Sequence, residues 1–294
     1  MSALRSRWAS EDALALPFVV GAVLIVGVPV LGAVALGFTE YYGFEAPRWT
    51  GLENVERALR DAAFGRSLVV GVIVALLVVP LRTALAFGCA LLLVRPGRGV
   101  GATRTAVFLP SVVPDAAWAL LWLWLLNPLY GPLAAVLRAL GLPGTGWLTE
   151  AAPTLLGLAT LLAFQVGESF VVAVAAMRAI PERYFEVARV EGASASHTVR
   201  RLVLPLMAPV LGVLALRDAI LVVQATFVPV LLITEGGPQG ATTTPPLYLY
   251  RRAFEYGELG YASTLSIVLL LLTLPVVLLQ VGLARRAGLL RSAG

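Results

Sequence analysis

Long apolar runs alternate with short polar stretches along the whole 294-residue chain. A helix needs about 20 mostly apolar residues to cross the hydrocarbon core of a bilayer. Six stretches qualify: Ala13–Phe38, Ser67–Val94, Thr105–Leu126, Pro153–Met177, Leu206–Ile233 and Leu259–Leu283. The pattern predicts an all-α membrane protein of about six transmembrane helices, organised as a single domain over residues 1–294. Pro80, Pro110, Pro114, Pro209, Pro229 and Pro275 fall inside these runs and are expected to act as kinks, which a helix bundle tolerates. The first run is too long for a secretory signal core and no small-residue cleavage site follows, so it reads as a retained helix.

Composition agrees with this class. The chain is 59% hydrophobic and 13% charged, with mean hydropathy +0.87, whereas soluble domains are about 45–50% apolar and about 25% charged. The 22 basic residues are all arginine. They are dispersed at the ends of apolar runs, which is a topology signal and not a nucleic-acid-binding face. With the N-terminus inside, thirteen arginines fall on the cytoplasmic side and seven outside. That bias places both termini in the cytoplasm, together with the polar segment Glu186–Pro205. Residues 40–66, 127–152 and 234–258 become the extracytoplasmic loops, long enough to meet a soluble partner. The single cysteine, Cys89, excludes an internal disulfide, and one cysteine with one histidine, His197, leaves no zinc site. A phosphate-binding loop needs a lysine, and the chain has none, so no ATP or Mg site is expected on it.

The segment Glu186-Val187-Ala188-Arg189-Val190-Glu191-Gly192-Ala193-Ser194, closed by Leu204-Pro205, is a charged island between two apolar runs. Ile180-Pro181-Glu182 reads as a helix start, with proline in the first turn and Glu182 at the positive end of the dipole. A short amphipathic helix is expected, with Glu182 and Glu186 on an acidic stripe and Phe185, Ala188 and Val187 on an apolar one. Gly192 permits a turn. A second piece, Ala195–Leu202, leads to Leu204-Pro205, where the next span is expected to begin. This helix–Gly–helix knob suits docking in a groove of another protein, although an ordinary charged loop has the same composition.

The island is similar to the EAA loop of binding-protein-dependent ABC-importer permeases, with Glu186, Ala188, Gly192, Ala193, Leu204 and Pro205 in register. Phe108-Leu109-Pro110, Asn127-Pro128, Trp147-Leu148, Thr234-Glu235-Gly236-Gly237-Pro238 and Gly260-Tyr261-Ala262 resemble the carbohydrate-uptake subgroup, of maltose and glycerol-phosphate type. Val187 stands where alanine is usual, Glu191 where aspartate is, and Ser196 and Val199 where aromatics are common. The resemblance implies a type I ABC-importer transmembrane fold in a bacterial plasma membrane. It also implies a coupling loop over 182–205 that includes Glu182 and Glu191, and a path formed by alternating access with a second, non-identical permease subunit. Two ATPase subunits would carry ATP and Mg, an extracytoplasmic solute-binding protein would deliver a sugar, and this chain would catalyse nothing.

Arg82, Asp115, Glu168, Arg217 and Asp218 lie within the apolar runs, where ionisable groups are costly and functional by default. Pairing across helices would satisfy them without a substrate. Arg217 and Gln224 are seven apart on one helix face and Phe227 follows, a polar-plus-aromatic stripe that suits a sugar. The corresponding region lines the cavity in the resembling family, which points to Gln224, Thr226 and Phe227, with Glu168 and Arg217 beside them. Trp118, Trp122 and Trp124 read as packing or interface residues. A proton-coupled secondary transporter using Glu168 or Asp218 as a relay, and an ABC importer of a non-sugar solute, remain as alternatives. An intramembrane enzyme lacks its nucleophile and base, since Ser169 has no partner histidine.

Overall fold

The computed structural model describes residues 16–142, 146–286 and 288. Arg5, Arg7 and Arg291, the start of the first apolar run, and with them the expected cytoplasmic termini, lie outside the described residues. Contacts group the chain into two compact units, Met1–Ala62 with Leu249–Leu270, and Ala63–Tyr248 with Leu271–Gly294.

In the first unit, helix α1 (Leu16–Leu36) has no buried residue in its apolar window. A π turn, Val23–Gly27, precedes Pro29 in it. A short hairpin follows, β1 (Thr39–Glu40) against β2 (Arg48–Trp49), antiparallel with Thr39 opposite Trp49. Its base is strapped down from two sides. Asn54, on the amphipathic helix α2 (Glu53–Arg60), donates to the carbonyls of Gly37 and Thr39 at 3.2 and 2.9 Å. Thr264 donates to the Gly37 carbonyl at 2.5 Å and the Gly260 amide to the Tyr41 carbonyl at 3.1 Å. Arg57 closes the unit, 2.7 Å from Glu258 and stacked over the Tyr261 ring.

The second unit is a helix bundle. Helix α3 (Ala62–Leu93) buries a seam at Gly71, Val74, Val78, Arg82, Ala86 and Ala90, the three-to-four spacing of one helix face. The third apolar run is not one helix. It splits into α4 (Val100–Phe108, continued by a tight turn Leu109–Ser111) and α5 (Asp115–Leu125), bent by 97°. Pro114 drives the break, because it lacks an N–H and biases Val113 away from helical geometry. A small helix, α6 (Pro132–Ala139), occupies the loop after it. The fourth run also breaks, into α7 (Ala151–Phe164) and α8 (Gly167–Arg178), bent by 49°. No proline stands at that break. Close packing accounts for it: a Cβ on Gly167 would lie 2.5 Å from Ser111 Oγ and 2.9 Å from Phe108 Cα. Among the described residues, four helices are long and apolar enough to span by themselves, and the total reaches six if each bent pair is one span.

The fifth run differs most from expectation. After α9 (Glu182–Val190), helix α10 runs unbroken from Ala195 to Thr234, starting eleven residues before the expected Leu206. Leu204-Pro205 lies inside it and ends nothing. A π turn, Val199–Val203, spans the carbonyl that Pro205 cannot engage, the same arrangement as before Pro29; widening the helix lets it pass a proline without stopping. The final connection is also more ordered than a loop, since it contains α11 (Pro245–Tyr250) and a π turn Arg251–Glu255. Helix α12 (Leu259–Arg286) is the last described helix. Two buried apolar clusters hold the second unit. One contains Trp118, Trp122, Leu161, Val222 and Leu247. The other contains Phe170, Met177, Val203 and Met207. Trp118 and Trp122 are therefore packing residues, while Trp124 is exposed.

Gly260 offers a test of the strapped hairpin. A Cβ there would collide with the Thr39 carbonyl, whereas Gly282 has open space around it. Gly260→Ala is expected to cost about 1–3 kcal/mol through overpacking and to lower the melting temperature in detergent; Gly282→Ala should leave it unchanged.

Candidate functional site

The charged island folds as two helix ends joined by a tight reversal. Pro181, in extended geometry, precedes α9, and Glu182 occupies the first turn. The end of α9 is a Schellman motif. Gly192 takes φ +70°, its amide donates to the Arg189 carbonyl at 3.1 Å, and the Ala193 amide donates to the Ala188 carbonyl at 2.9 Å. That geometry calls for glycine at the left-handed position and is served by small residues at the two flanking sites, which gives Ala188, Gly192 and Ala193 a shared physical reason. The chain restarts at once: Ser194 Oγ accepts from the His197 amide at 3.3 Å and α10 begins.

Phe185 packs half-buried against the Phe170–Met207 cluster, as does Ile180, and this anchors the knob to the bundle. The apolar stripe expected from sequence is divided, because Phe185 faces that cluster while Val187 faces outward. A set at three-residue spacing, Tyr184, Val187 and Val190, is exposed instead, with Val190 at 89%. Sequence reasoning passed over it, although the spacing was visible. Val187 and Tyr184 border a cleft of ≈ 750 Å³ shared with Glu191, Gly192, His197 and Arg201. Glu186 is exposed beside it, and Glu182 pairs with Arg189 at 3.1 Å on the surface. Leu204 and Pro205 are exposed between two and three turns into α10.

A second constellation lies within the bundle, where two pairs of consecutive residues face each other. Ser169 and Asp218 form the inner contact. Ser169 Oγ donates to Asp218 Oδ2 at 3.0 Å, and both residues are 0% exposed. Glu168 and Arg217, their chain neighbours, form an ion pair on the outer side, with side chains 58% and 32% exposed. Neighbouring residues on a helix diverge by about 100°, so one register sets a buried and an outward contact together. Arg82 completes the inner side. Its Nε lies 3.6 Å from Asp218 Oδ2 and its Nη2 donates to the Gln165 carbonyl at 2.5 Å, a group that the end of α7 would otherwise leave unbonded. Gln165 donates to Asp115 at 3.3 Å, and the Gly167 amide to Ser111 Oγ at 2.8 Å. Both helix breaks are thus stitched to each other, to α3 and to α10. All five intramembrane charges read from the sequence converge here.

Of the residues expected to line a solute path, the structure brings Glu168 and Arg217 together. Gln224, two turns along α10 from Arg217, is exposed and makes no side-chain hydrogen bond among the described residues. Thr226 departs from that face: it is fully buried and donates to the Val223 carbonyl at 2.7 Å. Phe227 packs half-buried on the Trp118–Leu247 cluster. A few residues of helix carry the chain from one face to the other, so the expected stripe is split between surface and core.

Asp218→Ala would leave Arg82 buried without its carboxylate and is expected to cost about 3–5 kcal/mol, read as a large loss of thermal stability in detergent. Glu168→Gln breaks a half-exposed pair and should cost less than about 1 kcal/mol.

The profile described as "Binding-protein-dependent transport system inner membrane component" matches residues 82–288, from the buried arginine through the knob and both breaks. The trehalose/maltose transport system permease protein MalF of Thermococcus litoralis is 31% identical over 279 residues, 92% of each chain. The sn-glycerol-3-phosphate transport system permease protein UgpA of Agrobacterium fabrum is 31% identical over 232 residues, 79% of each chain. A chain in a crystal structure of a bacterial alginate ABC transporter, in complex with an alginate pentasaccharide-bound periplasmic protein, superimposes with TM-score 0.82 at 20% identity. It covers 97% of this chain and 96% of its own, a likeness of fold. The matched region holds the knob and the whole intramembrane cluster, and on that ground the chain belongs to the family of inner-membrane permease components of binding-protein-dependent transport systems.

Proposed function

We propose that this chain is one permease subunit of an ATP-driven importer of a sugar, a di- or oligosaccharide or a related polyol or glycoside. The observation that carries the proposal is the knob: an exposed reversal, Glu182–Leu202, whose second arm is the start of a 40-residue helix. Such a helix is about 60 Å long, roughly twice the hydrocarbon thickness, so one end must project into water. Motion of the knob moves a rod that reaches the intramembrane cluster directly.

In this reading the ATPase pair closes on ATP and Mg and grips α9 through the Tyr184–Val187–Val190 face. Glu186 and Glu191 form the polar rim. The chain holds no lysine and so lacks a standard phosphate-binding loop, which assigns hydrolysis to separate subunits. One chain lines only part of a path, and a second permease, of different sequence, supplies the rest. A loaded solute-binding protein meets the extracytoplasmic loops, residues 40–66, 127–152 and 234–258. Both termini are then cytoplasmic. Each ligand drives the cycle only by its preference for one state: the binding protein for the outward-facing, ATP for the closed ATPase pair. The names of the relatives, trehalose/maltose and sn-glycerol-3-phosphate transport permeases, support a carbohydrate-type solute.

The double variant Glu186→Ala/Gly192→Pro removes the exposed acid and the positive-φ glycine of the knob. It is expected to insert normally but to capture the ATPase roughly tenfold less, a loss of about 1.4 kcal/mol, with uptake falling in parallel. Normal copurification together with normal uptake would refute the coupling role.

A further inference from the structure

The membrane-embedded cluster holds two cations, Arg82 and Arg217, against three carboxylates, Asp115, Glu168 and Asp218. Both arginines are already committed. Arg82 is enclosed with Asp218 and the Gln165 carbonyl, and Arg217 is paired with Glu168. Asp115 and Glu168 each stand in the first turn of a helix, at its positive end, which favours their ionised form. The outward-facing groups are therefore one neutralised ion pair, the Asp115 carboxylate, and the uncharged Gln224 amide two turns further along α10. An amide exposed on a membrane-spanning helix with no partner among the described residues requires water, solute or a neighbouring subunit. It offers both a donor and an acceptor, which suits hydroxyl groups.

We propose that Glu168 sets the charge selectivity of the solute path. By occupying Arg217 it leaves a surface that accepts neutral polyhydroxylated solutes and turns away anionic ones such as sugar phosphates and uronates. The proposal rests on the reading of this face as part of the path. A solute anion finds no free cation here and meets an excess negative charge, whose effect grows where water is scarce. Removing the Glu168 charge releases Arg217, evens the outward charges and lets an anion meet a free cation.

The test does not depend on which solute the binding protein delivers. With Cys89→Ala removing the single native thiol, Gln224→Cys is placed about 10 Å along α10 from Arg217. In membranes containing the whole transporter, its modification by cationic and by anionic methanethiosulfonate reagents is timed and divided by the ratio for a free thiol. The expected result is a preference for the cationic reagent of roughly two- to tenfold. It should be lost in Glu168→Gln, which leaves Arg217 balanced by Asp115, and grow in Arg217→Gln, so either variant reads the field if the other fails to assemble. Labelling with an anionic preference, or a ratio indifferent to both variants, overturns the charge assignment. Protection of Gln224→Cys from both reagents in every state of the cycle overturns the path reading beneath it.

Discussion

A guanidinium inside a membrane-spanning helix has to be answered by a carboxylate, and much of the second unit follows from that requirement. Arg82 sits in the buried seam of α3, and its answering groups are Asp218 on α10 and the free carbonyl at the end of α7. For the carbonyl to be free, the fourth span must break near Gln165. For Asp218 to be reached, α10 must cross beside that break. The first turn of α8 then falls opposite the same stretch of α10, and the Ser169–Asp218 and Glu168–Arg217 contacts form in one register. A helix that would be a plain rod in a soluble protein is thus interrupted where its backbone can serve as a ligand. The interruption is tolerated because the Gln165 carbonyl and the Gly167 amide, freed at the break, find partners in Arg82 and Ser111.

The same cluster links the two ends of the proposed cycle. Asp218 and Arg217 belong to the helix that starts in the knob, with no break between. A displacement at Ala195 cannot be absorbed by a loop before it reaches Arg217 and Asp218, because the π turn Val199–Val203 widens the helix without interrupting it. Phe185 and Ile180 tie the other arm of the knob to the cluster that contains Val203 and Met207 of α10. Both arms are therefore seated in one apolar core, and the knob moves with the bundle.

The membrane class and the apolar runs were legible because hydrophobic length is a strong one-dimensional signal. So was the knob, since its Gly192 and flanking alanines are local geometry written in adjacent residues. The five intramembrane charges could be named from sequence as a set. Which carboxylate meets which arginine depends on helix crossings that no single run encodes. The 97° break was half visible in Pro114. The 49° break was not visible, because its cause is the close approach of Gly167 to Ser111 and Phe108, 56 residues or more away in sequence. That the helix runs on through Leu204-Pro205 was not legible for a related reason: proline reads as a helix boundary unless the helix widens around it. The sequence groups Gln224, Thr226 and Phe227 as one candidate set, whereas the fold exposes Gln224, buries Thr226 and half-buries Phe227 against the cluster of Trp118 and Val222.

The central claim is that the reversal around Gly192 is the water-facing handle gripped by the ATPase subunit. Val190, the most exposed side chain of its apolar face, is the position to probe. A photo-crosslinking amino acid placed there in the assembled transporter, irradiated in intact cells, should yield one adduct, with the cytoplasmic ATPase subunit. An adduct with the extracytoplasmic binding protein, or none with any subunit of the purified complex, would contradict the account.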